Sequence, residues 1–507
     1  MSSTSRQRLT LTLLFGNLWR LKSMVKCLLI LPIVAVGVFC LIFFFGFRVD
    51  FDGSGIFPVL SFHKMKAHYD AIELSRAQQK QAFSASDFNE ETQRSDDLEL
   101  VQVATAFRSG TARDKSFPVS ANNDWTGFRG PRRDGHYRGA PILTNWPLQG
   151  LKPLWRQPVG GGYGSFALVG GRAFTIEQRR QQEVVAAYDL RTGREIWTHS
   201  WSAEFRESLG GDGPRTTPTW DNGRIYALGA TGELRCLDAD QGALIWSRNI
   251  LRDNEGNNLT WGMSASPLIV EDKVVVLPGG LQGKSVVAYE KQTGEPIWKV
   301  LGDKQAYTSP MLLSLNGKPQ LLIVSAKRMM GLSVEKGTLL WDYPWVTDYD
   351  INSAQPIILE GNRIFISAGY GHGAAVVKLN PKRNGYKVQT VWQNRRMKNK
   401  FTSSVVKGDY IYGLDEAILA CVHARSGKLK WKGGRYGYGQ VLLASGHLIV
   451  LSESGELALV EGTPERHQEI ARFSAIRGKT WNHPAISRGL LVVRNNREMA
   501  CFDLRLQ

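Results

Sequence analysis

Residues 187 to 197 read Ala187-Tyr-Asp-Leu-Arg-Thr-Gly-Arg-Glu-Ile-Trp197, and this stretch decides the fold. The apolar run that leads into it, residues 184–188, is typical of a mostly buried β-strand. Asp189 can start a tight turn by accepting hydrogen bonds from the amides that follow it. Gly193 can adopt the positive φ that such a turn requires. The stretch therefore predicts a β-hairpin whose outgoing strand begins near Trp197.

The same pattern recurs along most of the chain. Clear copies are Cys236–Trp246 and Ala288–Trp298, and weaker copies are Gly331–Trp341 and Cys421–Trp431. A single hairpin cannot bury its own apolar face. A repeat of roughly 40–50 residues therefore indicates stacked units, as in a solenoid or a propeller.

The order of the strand signals indicates a closed ring. The first outer-strand aromatic, Trp155, has no strand signal before it, and the last strand signal, at Phe502, has no tryptophan after it. A ring explains both, because the Trp155 strand would complete the C-terminal blade and leave no open sheet edge. We predict an all-β, eight-bladed β-propeller of four-stranded antiparallel blades. The outer-strand aromatics are Trp155, Trp197, Trp246, Trp298, Trp341, Trp392, Trp431 and Phe473.

The N-terminal part divides into three segments before this array, which we place at 124–507. Residues 1–26 form a basic tail, and Cys27 to Phe47 run without a charged residue for long enough to cross a bilayer as a helix. The basic flank places the N-terminus in the cytoplasm and the remainder outside it. Because the apolar run is too long for a cleaved signal peptide and no small-residue cleavage site follows, we expect a retained transmembrane signal anchor.

Residues 48–123 are predicted to form a partly helical, partly flexible stalk. Lys64 to Ala82 has helical composition, with Ala71, Leu74 and Ala77 at helical spacing, and the stretch after it is acidic and polar. The turn-rich segment Asp124 to Gly135 is too short to be a domain. We expect it to pack across the face or edge of the propeller.

Charge and cysteine content narrow the function further. The formal net charge is +17, which suits either an anionic partner or an ordinary solvated basic surface. No block of basic residues with interleaved aromatics is present, so nucleic acid is not indicated. Cys236, Cys421 and Cys501 occupy the repeat position that Ala187 holds, and we interpret them as small buried hydrophobes that form neither a disulfide nor a metal site.

A second signal in each unit, typified by Ser266-Pro267 and Ser309-Pro310, marks the start of the innermost strand. The residues just upstream should face one another around one mouth of the central channel. They suit either a ligand or peptide site or a packed plug of the funnel. The candidate binding residues at this mouth are Tyr163, Arg215, Tyr307, Asn352, Phe401, Tyr438 and Trp481. Ser264 and Ser353 complete the eight equivalent positions, and Asn352 directly precedes Ser353.

The Ala-x-Asp-x-x-Thr-Gly-x-x-x-Trp unit resembles the repeat of pyrroloquinoline quinone (PQQ) propellers, over about residues 124–507. The opening residues Trp125 to Gly135 are similar to those of bacterial PQQ-binding-like β-propeller repeat proteins. The repeat is also similar to that of the propeller lipoprotein of the outer-membrane β-barrel assembly machinery. The resemblance implies that the tryptophans dock neighbouring blades together, and the repeat itself does not bind the quinone.

The resemblance also implies a test for enzymes of the superfamily, which hold PQQ and calcium beneath a pair of adjacent cysteines. This chain has no Cys-Cys pair. The loop carboxylates Glu177, Asp415, Glu416 and Glu453 could not be matched to the calcium ligands or to a catalytic base. Tyr370 to Gly373 is interpreted as a glycine hairpin carrying one exposed histidine.

Three functions therefore remain open. The first is a membrane-tethered periplasmic binding or scaffold propeller at the bacterial inner membrane, with another envelope protein or peptide as partner, no cofactor, no metal and no catalytic residue. The second is a divergent PQQ-dependent dehydrogenase with calcium. The third is a carbohydrate-active hydrolase or lyase that uses the aromatic funnel.

Overall fold

A computed structural model describes residues 36–37, 47–51, 58–62, 67–81 and 123–506, except 148, 208 and 384, with the backbone alone for 47–51 and 58–62. Most of the predicted anchor 27–47, the tail 1–26 and much of the stalk lie outside these residues. Strands Phe47–Phe51 and Pro58–Phe62 pair antiparallel as a separate hairpin within the unit Met1–Ala67. The described residues contain no helix that is both long enough and apolar enough to span a membrane.

Residues 153–503 form eight antiparallel sheets, which confirms the predicted eight-bladed propeller. We number the blades 1 to 8 along the chain and give their strands from the channel outward. Blade 1 contains Ala167–Val169, Arg172–Arg179, Gln182–Asp189 and Glu195–Ser202. Blade 2 contains Thr219–Asp221, Arg224–Leu228, Glu233–Asp238 and Leu244–Asn249. Blade 3 contains Leu268–Val270, Lys273–Val276, Val286–Glu290 and Pro296–Val300. Blade 4 contains Met311–Leu315, Lys318–Val324, Arg328–Ser333 and Leu339–Pro344.

The second half of the ring continues in the same way, with two short 3-10 helices in the loops, Arg252–Asn254 and Asp348–Asp350. Blade 5 contains Ile357–Leu359, Arg363–Ala368, Gly373–Lys382 and Gly385–Asn394. Blade 6 contains Val405–Lys407, Tyr410–Asp415, Ile418–His423 and Leu429–Arg435. Blade 7 contains Gln440–Ala444, His447–Leu451, Glu456–Glu461 and Glu469–Ser474, and His136–Tyr137 pairs parallel to its first strand. Blade 8 contains Ala485–Ser487, Leu490–Arg494, Glu498–Asp503 and Pro153–Pro158.

The ring closes as predicted, because the strand around Trp155 is the outer strand of blade 8. It pairs antiparallel with Glu498–Asp503, and Trp155 lies opposite Cys501. A large indole can lie over its neighbouring strand only where the opposite side chain is small. Cys236 and Cys421 stand opposite a tryptophan in the same way, and all three described cysteines are buried free thiols, as predicted.

Six of the tryptophans dock on the following blade. In each case the indole nitrogen donates to a backbone carbonyl in the turn between the third and fourth strands of that blade, at 2.8 to 3.3 Å. Trp341 is the exception, since it donates instead to Gln320 of its own blade at 2.8 Å. Blade 5, which follows it, has a longer hairpin, Gly373–Lys382 with Gly385–Asn394, in place of the standard turn.

Hydrogen bonds between side chains and backbone link the inner strands into a ring. The amides of Ser165, Thr217 and Ser266 donate to the hydroxyl of the corresponding residue in the next blade, at 3.0, 2.8 and 2.9 Å. The series continues from Ser309 to Gln355 and from Gln355 to Ser403. The residues of the Ser-Pro signal thus precede the inner strands, and their hydrogen bonds hold neighbouring blades together.

The segment 124–137 packs along the inner edges of the blades, in line with the expectation of a face or edge contact, and crosses the channel: Trp125 pairs with Leu168 of blade 1, and His136–Tyr137 pairs with the first strand of blade 7. Arg133 donates to the carbonyls of Ser266 and Pro310 at 3.0 Å, and Arg129 donates to that of Ser404 at 2.7 Å. Both guanidinium groups are buried. They are held by blades 3, 4 and 6, so the segment forms a plug across the channel. These carbonyl oxygens belong to residues of the hydrogen-bonded ring or to the residues that directly follow them in the chain. The plug therefore lies on the side of this ring where the inner strands begin.

Helix 67–81 packs against the seam between blades 8 and 1. His68 Nε2 lies 2.9 Å from the carbonyl oxygen of Val159, and Arg76 donates to the carbonyl of Pro158 at 2.8 Å. Arg76 also pairs with Glu195 of blade 1 at 3.3 Å. The buried face of the helix consists of Tyr69, Ile72 and Arg76, whereas Ala71, Leu74 and Ala77 face solvent. This part of the predicted stalk is therefore attached to the propeller.

Candidate functional site

The loops on the other side of the hydrogen-bonded ring from the plug bring four of the predicted mouth residues into one aromatic cluster. The ring centroid of Phe401 lies 4.5 Å from that of Trp481 and 5.2 Å from that of Tyr438. Tyr163 lies 5.3 Å from Trp481 on its other side. The ring planes are tilted by 32 to 51°. Because these residues come from the loops that enter blades 1, 6, 7 and 8, ring closure is what brings them together.

Cations lie on the faces of these rings. Lys479 Nζ is 4.3 Å from the centre of the Trp481 ring, and Lys400 Nζ is 4.6 Å from that of Tyr438. Arg215 lies over Phe205 at 4.6 Å and over Tyr163 at 5.6 Å, and burial lowers the pKa of its guanidinium. Cation–π contacts of this kind hold long, flexible side chains in place at a partly exposed surface. The mouth therefore presents three cations, where the sequence suggested one.

One carboxylate anchors the cluster. Glu453 accepts a hydrogen bond from the indole of Trp481 at 2.7 Å and from the amide of Tyr438 at 3.2 Å. It lies on the turn between the second and third strands of blade 7. Of the four candidate carboxylates, it is the one in contact with the cluster, where it orients the rings.

Tyr307 lies on the rim in the loop that enters blade 4, and its ring centroid is 5.6 Å from that of Trp261. Burial raises the pKa of its hydroxyl to about 12. Asn352 does not present its side chain to the mouth: it is 2 % exposed and donates to the carbonyls of Ser325 and Ala326 at 3.0 and 3.3 Å. Asn352 therefore shapes the loops beneath the rim.

The remaining candidate carboxylates do not fit a PQQ and calcium site. Glu177 is fully buried in a strand of blade 1, where it binds Arg179 and accepts from the Tyr188 hydroxyl at 2.8 Å. Asp415 pairs with Lys432 at 2.8 Å, and Lys398 lies between Asp415 and Glu416. These oxygens are held by cations at separate places and do not converge. Among the described residues, no group of three or more His, Cys, Asp or Glu side chains is arranged to hold a metal ion.

The sequence Tyr370 to Gly373 is a hairpin turn between two strands of blade 5, as predicted, but its histidine is not exposed. His372 packs edge-on against Trp345, with centroids 4.4 Å apart. Tyr370 instead faces the mouth, 5.0 Å from Lys400 Nζ.

Sequence reasoning missed several residues of the mouth, namely Phe205, Trp261, Tyr370, Lys400 and Lys479. Lys400 and Lys479 stand one and two residues before predicted mouth positions, so their proximity in sequence was an available signal. Phe205, Trp261 and Tyr370 lie on longer loops that the repeat pattern does not constrain.

Comparison with known proteins places this geometry in a family. The family model described as outer membrane protein assembly factor BamB matches residues 180–433, half of the chain. BamB of Shewanella oneidensis is 22% identical over 317 residues, which cover 58% of this chain and 75% of that protein. Quinohemoprotein alcohol dehydrogenase of Comamonas testosteroni is 31% identical over 125 residues, which cover 23% of this chain and 17% of that enzyme.

Two solved structures share the fold. The crystal structure of BamB from Moraxella catarrhalis aligns with a TM-score of 0.50 at 14% identity, covering 70% of this chain and 98% of that one. The quinohemoprotein alcohol dehydrogenase of Comamonas testosteroni aligns with a TM-score of 0.54 at 11% identity, covering 77% and 82%. These likenesses concern the propeller alone. Because the family model spans half of the sequence and its repeats are the blades described above, the chain belongs to the family of outer membrane protein assembly factor BamB.

Proposed function

We propose that the chain is a membrane-tethered periplasmic propeller that binds other envelope proteins during the assembly of outer membrane proteins and catalyses no reaction itself. The observation that carries this proposal is the mouth: a half-buried aromatic and cationic surface on one side of a channel that the plug crosses. The names of the relatives support the assembly role. The charge-free run from Cys27 to Phe47 supports the tether to the inner membrane.

The partner proposal is tested by photo-crosslinking in cells from positions on the rim. Replacing Tyr307 and Trp481 by alanine should abolish capture of envelope proteins while the melting temperature stays close to that of the parent. Replacing Leu244 by alanine is the control and should leave capture unchanged, since Leu244 is 47 % exposed on the outer strand of blade 2. Unaltered capture by the double variant, or a large fall in its melting temperature, would contradict a binding role for these two residues.

The tether is tested by fractionation of intact cells. We expect the chain in the inner membrane fraction, resistant to extraction with high salt, and the propeller digested by protease only after the outer membrane is permeabilised. A processed form free in the periplasm would reject the tether and leave the partner proposal standing.

A second function is supported by the 31% identity to a quinohemoprotein dehydrogenase over a short region. It would require PQQ and calcium, and the carboxylates Glu177, Asp415 and Glu416 do not form a site for them. Addition of PQQ and calcium to the purified protein should leave its absorbance, melting temperature and dye reduction unchanged. A saturable shift in any of the three would favour the dehydrogenase.

A further inference from the structure

The basic residues of the mouth are unevenly distributed around the ring. The loop 395–404, which enters blade 6, carries Arg395, Arg396, Lys398 and Lys400 and no acidic residue. The loop 475–484, which enters blade 8, carries Arg477 and Lys479 and no acidic residue. Asp415 and Glu416 pair with Lys398, and Glu453 and Glu498 also contact this sector, so its six basic residues outnumber these four acidic ones. A positive sector at a concave site attracts an anionic ligand.

The same two loops contribute the centre of the aromatic cluster. Phe401 follows Lys400 directly and Trp481 lies two residues after Lys479, and the two rings are 4.5 Å apart. Arg395, Arg396 and Arg477 are exposed on the outer part of these loops. The loops therefore present a continuous path from an exposed basic surface to a half-buried aromatic centre. A ligand that follows this path needs both negative charge and apolar groups.

The geometry of the rings distinguishes between two kinds of anionic ligand. A sugar stacks on an open, flat ring face, but a face of Trp481 is covered by Lys479 and a face of Tyr438 by Lys400. The rings are also tilted against one another, so that edges meet faces. This arrangement extends naturally to further aromatic side chains, which prefer edge-to-face contacts. The ammonium groups on the rings can meet carboxylates at the same time.

We infer that the mouth binds an extended polypeptide segment that carries carboxylate and aromatic side chains, and that Lys400 and Lys479 select it. This inference rests on the proposed function, because it gives the chemistry of the envelope protein segment that the mouth would hold. Two structural facts carry it: the positive sector on loops 395–404 and 475–484, and ring faces already covered by cations.

The test uses the full chain in detergent and three short fluorescein-labelled peptides. One contains acidic and aromatic residues, the second has the acidic residues replaced by their amides, and the third has the aromatic residues replaced by alanine. Fluorescence anisotropy should show roughly tenfold or greater preference for the first peptide over each of the others. Its affinity should fall as salt is raised, because exposed charges are screened.

The variant Lys400→Gln with Lys479→Gln should weaken binding of the first peptide roughly tenfold at an unchanged melting temperature. The matched control is Lys336→Gln with Lys428→Gln, since both residues are exposed and lie on the turns before the outer strands. The control should bind like the parent. Binding of the first peptide at Trp481 should also change the tryptophan fluorescence of the parent protein but not that of the Trp481→Phe variant.

Equal affinity for the three peptides, or no loss in the Lys400 and Lys479 variant, would overturn the inference. Tighter binding of an anionic oligosaccharide such as polygalacturonate, lost in the same variant, would assign the site to a polysaccharide and also overturn it. If the peptides do not bind while rim crosslinking still captures envelope proteins, the inference fails and the proposed function stands. If neither peptide binding nor crosslinking to envelope proteins is observed, both the inference and the proposed function are contradicted.

Discussion

The indole nitrogen of Trp155 donates to the carbonyl oxygen of Leu190 over 2.9 Å, which ties the outer strand of blade 8 to the turn of blade 1. The indole lies flat against Gly193, where an added Cβ would come within 2.6 Å of the ring. This contact joins two parts of the chain that only ring closure brings together. Its strength can therefore be measured by changes on either side.

Replacing Gly193 by alanine should destabilise the propeller more than replacing Gly170. Both glycines have a positive φ, 70° and 58°, so both variants bear a similar backbone cost of about 1–2 kcal/mol. A Cβ at Gly170 meets nothing within 4 Å, whereas one at Gly193 displaces Trp155. We expect an additional loss of about 1–3 kcal/mol in Gly193→Ala from urea unfolding. Equal losses would mean that the docking contact does not contribute.

The plug should be required for stability through Arg133. Replacing it by methionine keeps most of its volume but leaves the carbonyl oxygens of Ser266 and Pro310 without this donor, while that of Pro267 keeps the hydroxyl of Thr219. We expect a loss of about 2–4 kcal/mol in the free energy of unfolding. The neighbouring Arg132 is exposed, and Arg132→Met should unfold like the parent. A stable Arg133→Met protein would show that the plug is dispensable.

Glu183 should make stability depend on pH. It is fully buried, accepts from the amide of Ala230 in blade 2 at 2.7 Å, and burial raises its pKa from 4.5 to about 7. The folded chain therefore holds a proton that the unfolded chain has lost, so this contribution to stability is present below pH 4.5 and is lost as pH rises through about 7.

The variant Glu183→Gln keeps the acceptor and removes the ionisation. Its melting temperature should match that of the parent near pH 4.5 and exceed it above pH 7, by an amount equivalent to at most about 3 kcal/mol. Glu335→Gln, at a site whose side chain is 82% exposed, should show no such difference between the two pH values. A constant offset across pH would contradict the assignment to Glu183.

Helix 67–81 should stabilise the seam through one face only. Ile72 is 1 % exposed and Leu74 is 60 % exposed. We expect Ile72→Ala to cost about 2–4 kcal/mol and to speed hydrogen exchange in strand Pro153–Pro158, while Leu74→Ala changes neither. Equal effects of the two variants would reject the packing of this helix on the seam.

The fold could be predicted from the sequence because its determinants are local and repeated. A turn like that at Asp189 and Gly193, with a small residue opposite the tryptophan, recurs in blades 1, 2, 3, 4 and 6. Closure of the ring could be predicted because Trp155 has no strand signal before it and the strand at Phe502 has no tryptophan after it. The exception at Trp341 also has a local cause, since blade 5 lacks the receiving turn.

The interior of the channel and the mouth were harder to predict, because their contacts join residues far apart in the chain. Two of the carbonyl partners of Arg129 lie 274 and 275 residues away, and nothing in the sequence distinguishes Arg129 and Arg133 from the exposed Arg132. The buried face of helix 67–81 could not be recognised from the sequence, because Arg76 is buried in an ion pair with Glu195 while the apolar Leu74 is exposed. Hydrophobic spacing alone does not reveal a charge that is buried with its partner.

The position of the plug dictates an order of assembly. Residues 124–137 leave the ribosome before any blade, yet their partners lie in blades 3, 4 and 6. The closing strand Pro153–Pro158 can pair with Glu498–Asp503 only after all eight blades have been synthesised. The ring must therefore gather around the plug, and the plug need not be threaded into a finished ring. Until the last strand is delivered, the first outer strand is an unpaired edge, the kind of surface that chaperones protect.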